Sequence, residues 1–419
     1  MSKYCLYIFI FLAFFSCTRR VSNSIDTGEV SNIIDLTAGF NNIQTIRLSE
    51  IADSVTFIPL ETNRHSLIGQ SLLYNFSSQY IFHTNKYFDW SGKYYGSIGQ
   101  QGNGPFEEPE GVWDIVFKNE HFYSKGTKFL EYDITGKPTG KVRNLYRARE
   151  SSASDFLRSG TEFSSIGENF MIFDLPSQTV YFIDKDFEVI SSRSIIQPDS
   201  LPYYSQSMYY QKFVTRYKDE TLFYNFINDT IFYFTDISME PRWIVSFDDR
   251  LRVPSRFFIF YHIYRNEALN LARNGHSIEN TEIVRQADHK HFVSAAYETD
   301  SYIFFLMTEY VFWADRGSVS VRNKPPADPY IIYYEKNNGK ATRVNGKGFV
   351  DDILGMDFFY PEFIYDEKLI TPVWPYELHD FIEEQRDRGR EISPQLLEFS
   401  KKIKPEDNPI LILVHLKKK

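Results

Sequence analysis

The sequence predicts an all-β fold closed into a six-bladed β-propeller, on three observations. Short runs of Val, Ile, Phe, Tyr and Thr, often alternating and broken by Gly, Asn or Asp, recur from Ile43 to the end of the chain, the pattern of half-buried strands. One tight turn returns between such runs, as Trp90-Ser-Gly-Lys93, Asp133-Ile-Thr-Gly-Lys137 and Lys336-Asn-Asn-Gly-Lys340, with Asp184-Lys-Asp-Phe-Glu188 in the same slot; Gly92 and Gly136 lie 44 residues apart, a period that fits four-stranded blades. Finally, Ile410-Leu-Ile-Leu-Val-His-Leu416 ends the chain, while Ile46-Arg-Leu and Val55-Thr-Phe-Ile-Pro-Leu60 open its folded part, none with a local partner. Pairing the two ends in one blade seals the ring and leaves no open edge.

Of 419 residues, 42% are hydrophobic and 24% charged, the proportions of an ordered globular chain. Two cysteines exclude a disulfide scaffold. A net charge of −9 gives no electrostatic footprint for nucleic acid, whose phosphates demand clustered cations.

At the N-terminus, Lys3 is followed by an apolar run over residues 4–15 and then Ser16-Cys17. Twelve apolar residues fall short of a bilayer span, and a charged start, a short apolar stretch and a small residue describe a secretory signal peptide. Phe14-Phe15-Ser16-Cys17 resembles the lipobox of bacterial lipoproteins, so Cys17 is the expected lipidation site and the membrane contact is the lipid alone. Residues 1–16 are then the signal peptide, 17–42 a Ser/Asn/Thr-rich flexible tether, and 43–419 the propeller. Cys5 would be lost and Cys17 acylated, which leaves no thiol for nucleophilic catalysis or metal binding.

Six blades are expected at about 67–105, 110–145, 163–196, 209–248, 291–346 and 355–418, with seven as the competing count. Two stretches break the pattern. Residues 255–275, containing Arg265-Asn-Glu-Ala-Leu-Asn-Leu-Ala-Arg273 and stopping at Gly275, read as a helix. In 376–403, Leu378, Phe381 and Ile382 share a helical face, and Ser393-Pro394 reads as an N-cap and first-turn pair before Leu396 and Leu397. Both insertions are expected on one rim of the ring.

Leu48-Ser-Glu-Ile-Ala-Asp-Ser-Val-Thr-Phe-Ile-Pro-Leu-Glu-Thr62, Ser66-Leu-Ile-Gly69, Gly92-Lys-Tyr-Tyr-Gly-Ser-Ile-Gly-Gln-Gln-Gly-Asn-Gly-Pro105, Asn228-Asp-Thr-Ile-Phe232 and Asp407-Asn-Pro-Ile-Leu-Ile-Leu413 resemble, in the same order, the six-bladed β-propeller lipoproteins of Bacteroidetes-type bacteria. The resemblance implies an NHL-like propeller that is exported and lipid-anchored in a Gram-negative envelope; it supplies no catalytic residues. Pro105-Phe106-Glu107 departs from the family habit of Gly-Glu after Pro. Thr18-Arg19-Arg20 after Cys17 lacks acidic residues, which favours the periplasmic leaflet of the outer membrane over the cell surface.

The chemistry-bearing candidates are few. Gly99-Gln-Gln-Gly-Asn-Gly104 has the look of a phosphate loop, but Pro105 and two acids follow where an anion site needs a helix N-terminus, so a blade-to-blade turn is expected. His289 and His291, at i and i+2, would share a face on a strand and could hold a metal with an acid from another blade. An ion in the central channel, built from blade-start residues, is a further possibility that no spacing rule exposes; no other cofactor is expected. Asp351-Asp352, Glu107-Glu108 and Glu383-Glu384 read as solvated surface. No G-x-S-x-G, S-x-x-K or Walker motif is present, which leaves nucleophilic hydrolysis and nucleotide chemistry without support. Among 38 Phe, 29 Tyr and 5 Trp, most must fill blade cores, but Tyr203, Tyr204, Trp374 and Tyr376 fall in loops or beside the helical insertion, where rings stack on sugars or anchor a partner.

The function expected is therefore a lipid-anchored envelope propeller that binds a protein partner or an extracellular glycan or peptide. The alternative is a lyase or hydrolase acting on such a glycan or peptide at the channel mouth.

Overall fold

A computed structural model of the chain describes residues 32–418, apart from 70–72, 110, 113, 145–160, 175–177, 196–211, 256, 258–266, 268–269, 272, 278–280 and 311–326. Six antiparallel blades form the molecule. Blade 1 consists of Tyr74–Phe76, Tyr80–His83, Lys86–Asp89 and Tyr94–Ser97. Blade 2 consists of Ile115–Lys118, His121–Lys125, Lys128–Tyr132 and Pro138–Asn144. Blade 3 runs through Thr161–Ile166, Asn169–Asp174, Thr179–Ile183 and Val189–Ser194. Blade 4 is Val214–Tyr217, Glu220–Asn225, Thr230–Thr235 and Ser238–Ser246, and blade 5 is Lys290–Glu298, Tyr302–Tyr310, Ala327–Glu335 and Lys340–Val344.

Blade 6 joins the two ends of the sequence. Phe363–Tyr365, Lys368–Val373 and Ile410–Leu416 come from the C-terminal part, and Ala52–Pro59 adds the outermost strand. Ile412 pairs with Phe57 and Val414 with Val55 in an antiparallel register. Ile410, Leu411, Ile412 and Val414 are fully buried, as an apolar run with cover on both faces requires. The expected closure is thus observed, except that Ile46 lies outside any strand and Leu48 opens the short helix Leu48–Ile51.

The recurring turn sits between the third and fourth strands of blades 1, 2, 3 and 5. Asp89 Oδ1 accepts from the Ser91 and Lys93 N–H groups at 2.8 and 3.1 Å. Asp133 Oδ1 repeats this with Thr135 and Lys137, and Asp184 Oδ1 with Asp186 and Glu188. A side chain that mimics the turn carbonyl fixes the loop. Gly92 at φ +86° sits against blade 6, where a Cβ would lie 2.1 Å from the Pro59 carbonyl oxygen. In blade 3 the same left-handed position is held by Phe187, φ +63°, whose ring stacks on Phe129 at 5.3 Å.

Aromatic rings fill the seams between blades. Phe82 meets Phe122, Tyr123 meets Phe170, Phe173 meets Phe223 and Phe76 meets Phe363, at centroid distances of 5.9, 4.7, 4.8 and 5.6 Å. Such pairs add to the area they bury.

The described part of the segment read as a tether, residues 32–42, is bound to the ring. Ile33–Asp35 pairs in parallel with the outermost strand of blade 4, the helix Leu36–Asn41 follows, and Ile43–Gln44 pairs with the outermost strand of blade 5. Ile34 and Leu36 are fully buried, and Asp35 caps the helix through the Ala38 N–H at 2.8 Å. Two buried side chains and a row of edge hydrogen bonds hold a segment whose composition gave no such signal. They also cover two strand edges.

The second helical insertion appears as Pro375–Asp387 and Pro394–Ser400. Leu378, Ile382 and Leu396 pack into the core shared by blades 5 and 6, and Phe399 stacks on Phe57 at 4.4 Å. Ser393 Oγ accepts from the Leu396 N–H at 3.1 Å, with Pro394 in the first turn. Of the helix expected over 255–275, Ser255, Phe257, Glu267, Asn270, Leu271 and Arg273 are helical, and much of the remainder lies outside the described residues.

Candidate functional site at the inner-strand starts

Each blade contributes its innermost strand to the ring axis. Acids stand at the starts of three of these strands. Asp114 directly precedes the inner strand of blade 2, and its carboxylate accepts the Phe163 N–H of blade 3. Glu162 of blade 3 accepts the Phe213 and Val214 N–H groups of blade 4 at 2.6 and 2.7 Å. Lys212 precedes the inner strand of blade 4 and donates its N–H to the Ser294 carbonyl of blade 5 at 2.6 Å. Inner strands are therefore stitched blade to blade by the residues that open them.

Asp114 and Glu162 are largely enclosed by protein yet retain some solvent contact. Burial pushes the Asp114 carboxyl up to about 6, against the pull of Lys125 and Lys212. Burial also pushes Glu162 up to about 7; Lys212 and the two N–H donors oppose this, and the Asp114 charge adds to it. Removing a carboxylate from water disfavours its charged form, and a facing ammonium restores part of that loss. Lys125, 7% exposed, is itself held low by burial. Tyr297 of blade 5 is buried within reach of the Glu162 charge.

Glu362 occupies the corresponding place in blade 6, one residue before Phe363. Its surroundings differ. Its Oε2 is buried without a hydrogen-bond partner among the described residues, and so is the hydroxyl of Tyr74, which is 5% exposed and feels the Glu362 charge. Burial, then the neighbouring Glu377 carboxylate, push Glu362 up to about 7. An unpartnered buried carboxyl is expensive as an anion and so keeps its proton longer.

Trp374 and Tyr376 follow the strand that pairs with this group's segment. In the hairpin of blade 6, Phe363 is opposite Ile370, which places Glu362 beside Thr371. Three further residues at about 3.3 Å each carry the chain roughly 10 Å to Trp374. The Trp374 and Tyr376 rings stack at 6.3 Å and 26°, Tyr376 is 38% exposed, and Glu377 Oε2 accepts the Trp374 N–H at 3.2 Å. The structure therefore brings Trp374, Tyr376, Glu377, Glu362 and Tyr74 to one side of the ring. Tyr203, Tyr204 and Cys17 lie outside the described residues.

His289 and His291 do not act as a strand pair. His289 sits in the turn before the inner strand of blade 5 at φ +57°, is exposed, and meets Glu309 at 2.8 Å, which raises its pKa. His291 packs against Phe40 at 4.9 Å and Tyr330 at 5.6 Å, and burial lowers its pKa. Among the described residues, no group of three His, Cys, Asp or Glu side chains is placed to hold a metal ion.

The glycine loop after blade 1 is filled by its own acid. Glu107 Oε2 accepts the Gly104 N–H at 2.8 Å, and a Cβ on Gly102 would lie 2.0 Å from that oxygen. Glu108 and Asp351, expected at a solvated surface, are 1% and 3% exposed. Glu108 accepts the Thr127 and Lys128 N–H groups, and Asp351 those of Ile353 and Leu354; a carboxylate that satisfies turn donors is worth burying. Glu383 and Glu384 are exposed.

Asp114, Glu162, Lys212 and Glu362 escaped the sequence reading. Their common signal is position, since each lies within two residues of the start of the first strand of its blade.

Fold and site together define a six-bladed β-propeller with acids, lysines and tyrosines gathered at the inner-strand starts. The chain belongs to the family described as domain of unknown function DUF4934, whose pattern matches residues 31–415. It matches no curated protein. A Bacteroides fragilis protein named for its expected export has a similar structure, with 18% identity and a TM-score of 0.59 over 92% of this chain and 100% of that one. A member of the DUF4221 family from Bacteroides vulgatus aligns with 12% identity and a TM-score of 0.41 over 87% of this chain and 97% of that one. Among the described residues, no helix is long and apolar enough to cross a membrane.

Proposed function

We propose that this protein is an exported propeller, anchored at the outer membrane through a lipid on Cys17, that binds a glycan on the face carrying the inner-strand starts. The observation that carries this reading is the stack of half-buried Trp374 on exposed Tyr376, 6.3 Å between centroids, next to Glu377 and on the same side of the ring as Glu362. Aromatic faces take the C–H faces of sugar rings, and carboxylates take their hydroxyls. The step of about 10 Å from Trp374 down to Glu362 gives such a ligand both a platform and a floor. The sequence resemblance to propeller lipoproteins and the similarity to the Bacteroides fragilis protein support export.

A hydrolase or lyase is the second reading, favoured by Glu362. Its carboxyl, held near 7 beside Glu377, suits a general acid.

Calorimetry on the full-length Cys17→Ala protein against an array of envelope and dietary oligosaccharides tests the proposal. Binding weakened by Trp374→Ala supports it. Binding only to peptides, or glycan binding indifferent to Trp374, refutes it. Cleavage of a bound glycan, lost in Glu362→Gln, would establish the second reading.

A further inference from the structure

We propose that Glu362 and the Tyr74 hydroxyl form an amine subsite at the seam of blades 6 and 1, which takes the ammonium group of an amino sugar. This rests on the glycan reading and names the sugar class. The seam holds two buried oxygens with no hydrogen-bond partner among the described residues, Glu362 Oε2 and the hydroxyl of Tyr74. They come from different blades brought together at this seam, where the Tyr74 ring lies 5.8 Å from that of Phe363, the residue after Glu362, and the Glu362 charge reaches Tyr74. Asp114 and Glu162 each have Lys212 set against them, whereas the charge acting on Glu362 is that of another acid, Glu377.

An ammonium group suits this arrangement on three counts. It carries three donors, enough for both oxygens at once, where a sugar hydroxyl has one. Its charge relieves the repulsion between Glu362 and Glu377. Rings of Tyr74 and Phe363, 5.8 Å apart and edge-on, flank the seam and favour a cation over a neutral group. The titratable groups facing Glu362 are Glu377 from the helix Pro375–Asp387, Tyr360 from the segment before the strand, and Tyr74 from blade 1, with His83 in edge contact with Tyr74 at 4.8 Å. Binding of the ammonium therefore draws the proton from Glu362 and releases it to solvent.

Carboxyl-carbon NMR of the full-length Cys17→Ala protein labelled at glutamate, with the Glu362 signal assigned by its loss in Glu362→Gln, reads this directly. Glucosamine is expected to lower the apparent pKa of Glu362 by about one, a tenfold effect, while glucose leaves it unchanged. Tyr74→Phe should reduce the response to glucosamine without removing the Glu362 signal. A Glu362 titration that glucosamine does not move, or that glucose moves equally, overturns the proposal. The platform is read separately, by the affinity of an N-acetylglucosamine tetramer for Trp374→Ala. Loss of that effect with the glucosamine response intact would refute the glycan platform and leave the amine subsite standing.

Discussion

Replacing Glu362 with Gln changes how stability depends on pH, and the size of the change follows from the site. The Glu362 carboxyl ionises near 7 in the folded protein against 4.5 for a free side chain, through burial first and Glu377 second. The folded state therefore holds this proton more tightly than the unfolded chain. Stability from this group is fully present below about 4.5 and is lost as pH rises through 7. The interval corresponds to about 3 kcal/mol, and residual solvent contact reduces it to about 2 kcal/mol. Gln has nearly the same shape and no charge, so Glu362→Gln should match the wild type near pH 4 and exceed its stability by about 2 kcal/mol at pH 8. Asp114 and Glu162 titrate in both proteins and cancel in the difference. Urea denaturation of both proteins at half-unit steps from pH 4 to 8.5 measures it. Stability curves that stay parallel across this range would refute the argument that Glu362 is buried without compensation.

Other outcomes follow from the same structure. Gly92→Ala should cost about 3 kcal/mol in urea denaturation, because its Cβ would meet the Pro59 carbonyl oxygen at 2.1 Å, whereas Gly140→Ala, at φ +97° with open space around it, should cost only the backbone part of about 1 kcal/mol. Trp374→Ala should weaken binding of an N-acetylglucosamine tetramer by roughly tenfold, read by calorimetry. Cys17→Ala should move the protein from the membrane fraction to the soluble periplasmic fraction and abolish incorporation of labelled fatty acid.

The ring closure was legible because Ile410, Leu411 and Ile412 form an apolar run that demands cover on both faces, and Val55 and Ile58 supply the complementary strand. The turns were legible through Asp89, Asp133 and Asp184, whose carboxylates make the same bonds even where Phe187 replaces the glycine. The ordering of residues 32–42 was not. It depends on three-residue pairing and on the burial of Ile34 and Leu36, too little for any periodicity to register. The site was legible only at its rim. Trp374 and Tyr376 stood out as aromatics next to a helix, but Asp114, Glu162, Lys212 and Glu362 are separated by tens to hundreds of residues and meet only because the ring brings blade starts together. Glu108 and Asp351 misled as surface acids because their partners are backbone N–H groups, which leave no mark in a sequence. His289 and His291 do not share a strand face because the strand begins between them.

The most direct test of the central claim is a crystal structure of the protein soaked with a glucosamine tetramer. The account predicts one sugar ring stacked on Trp374 and Tyr376 and an amine within hydrogen-bond distance of Glu362 Oε2 and the Tyr74 hydroxyl. A tetramer seated elsewhere on the ring, with those two oxygens facing only solvent or each other, would contradict it.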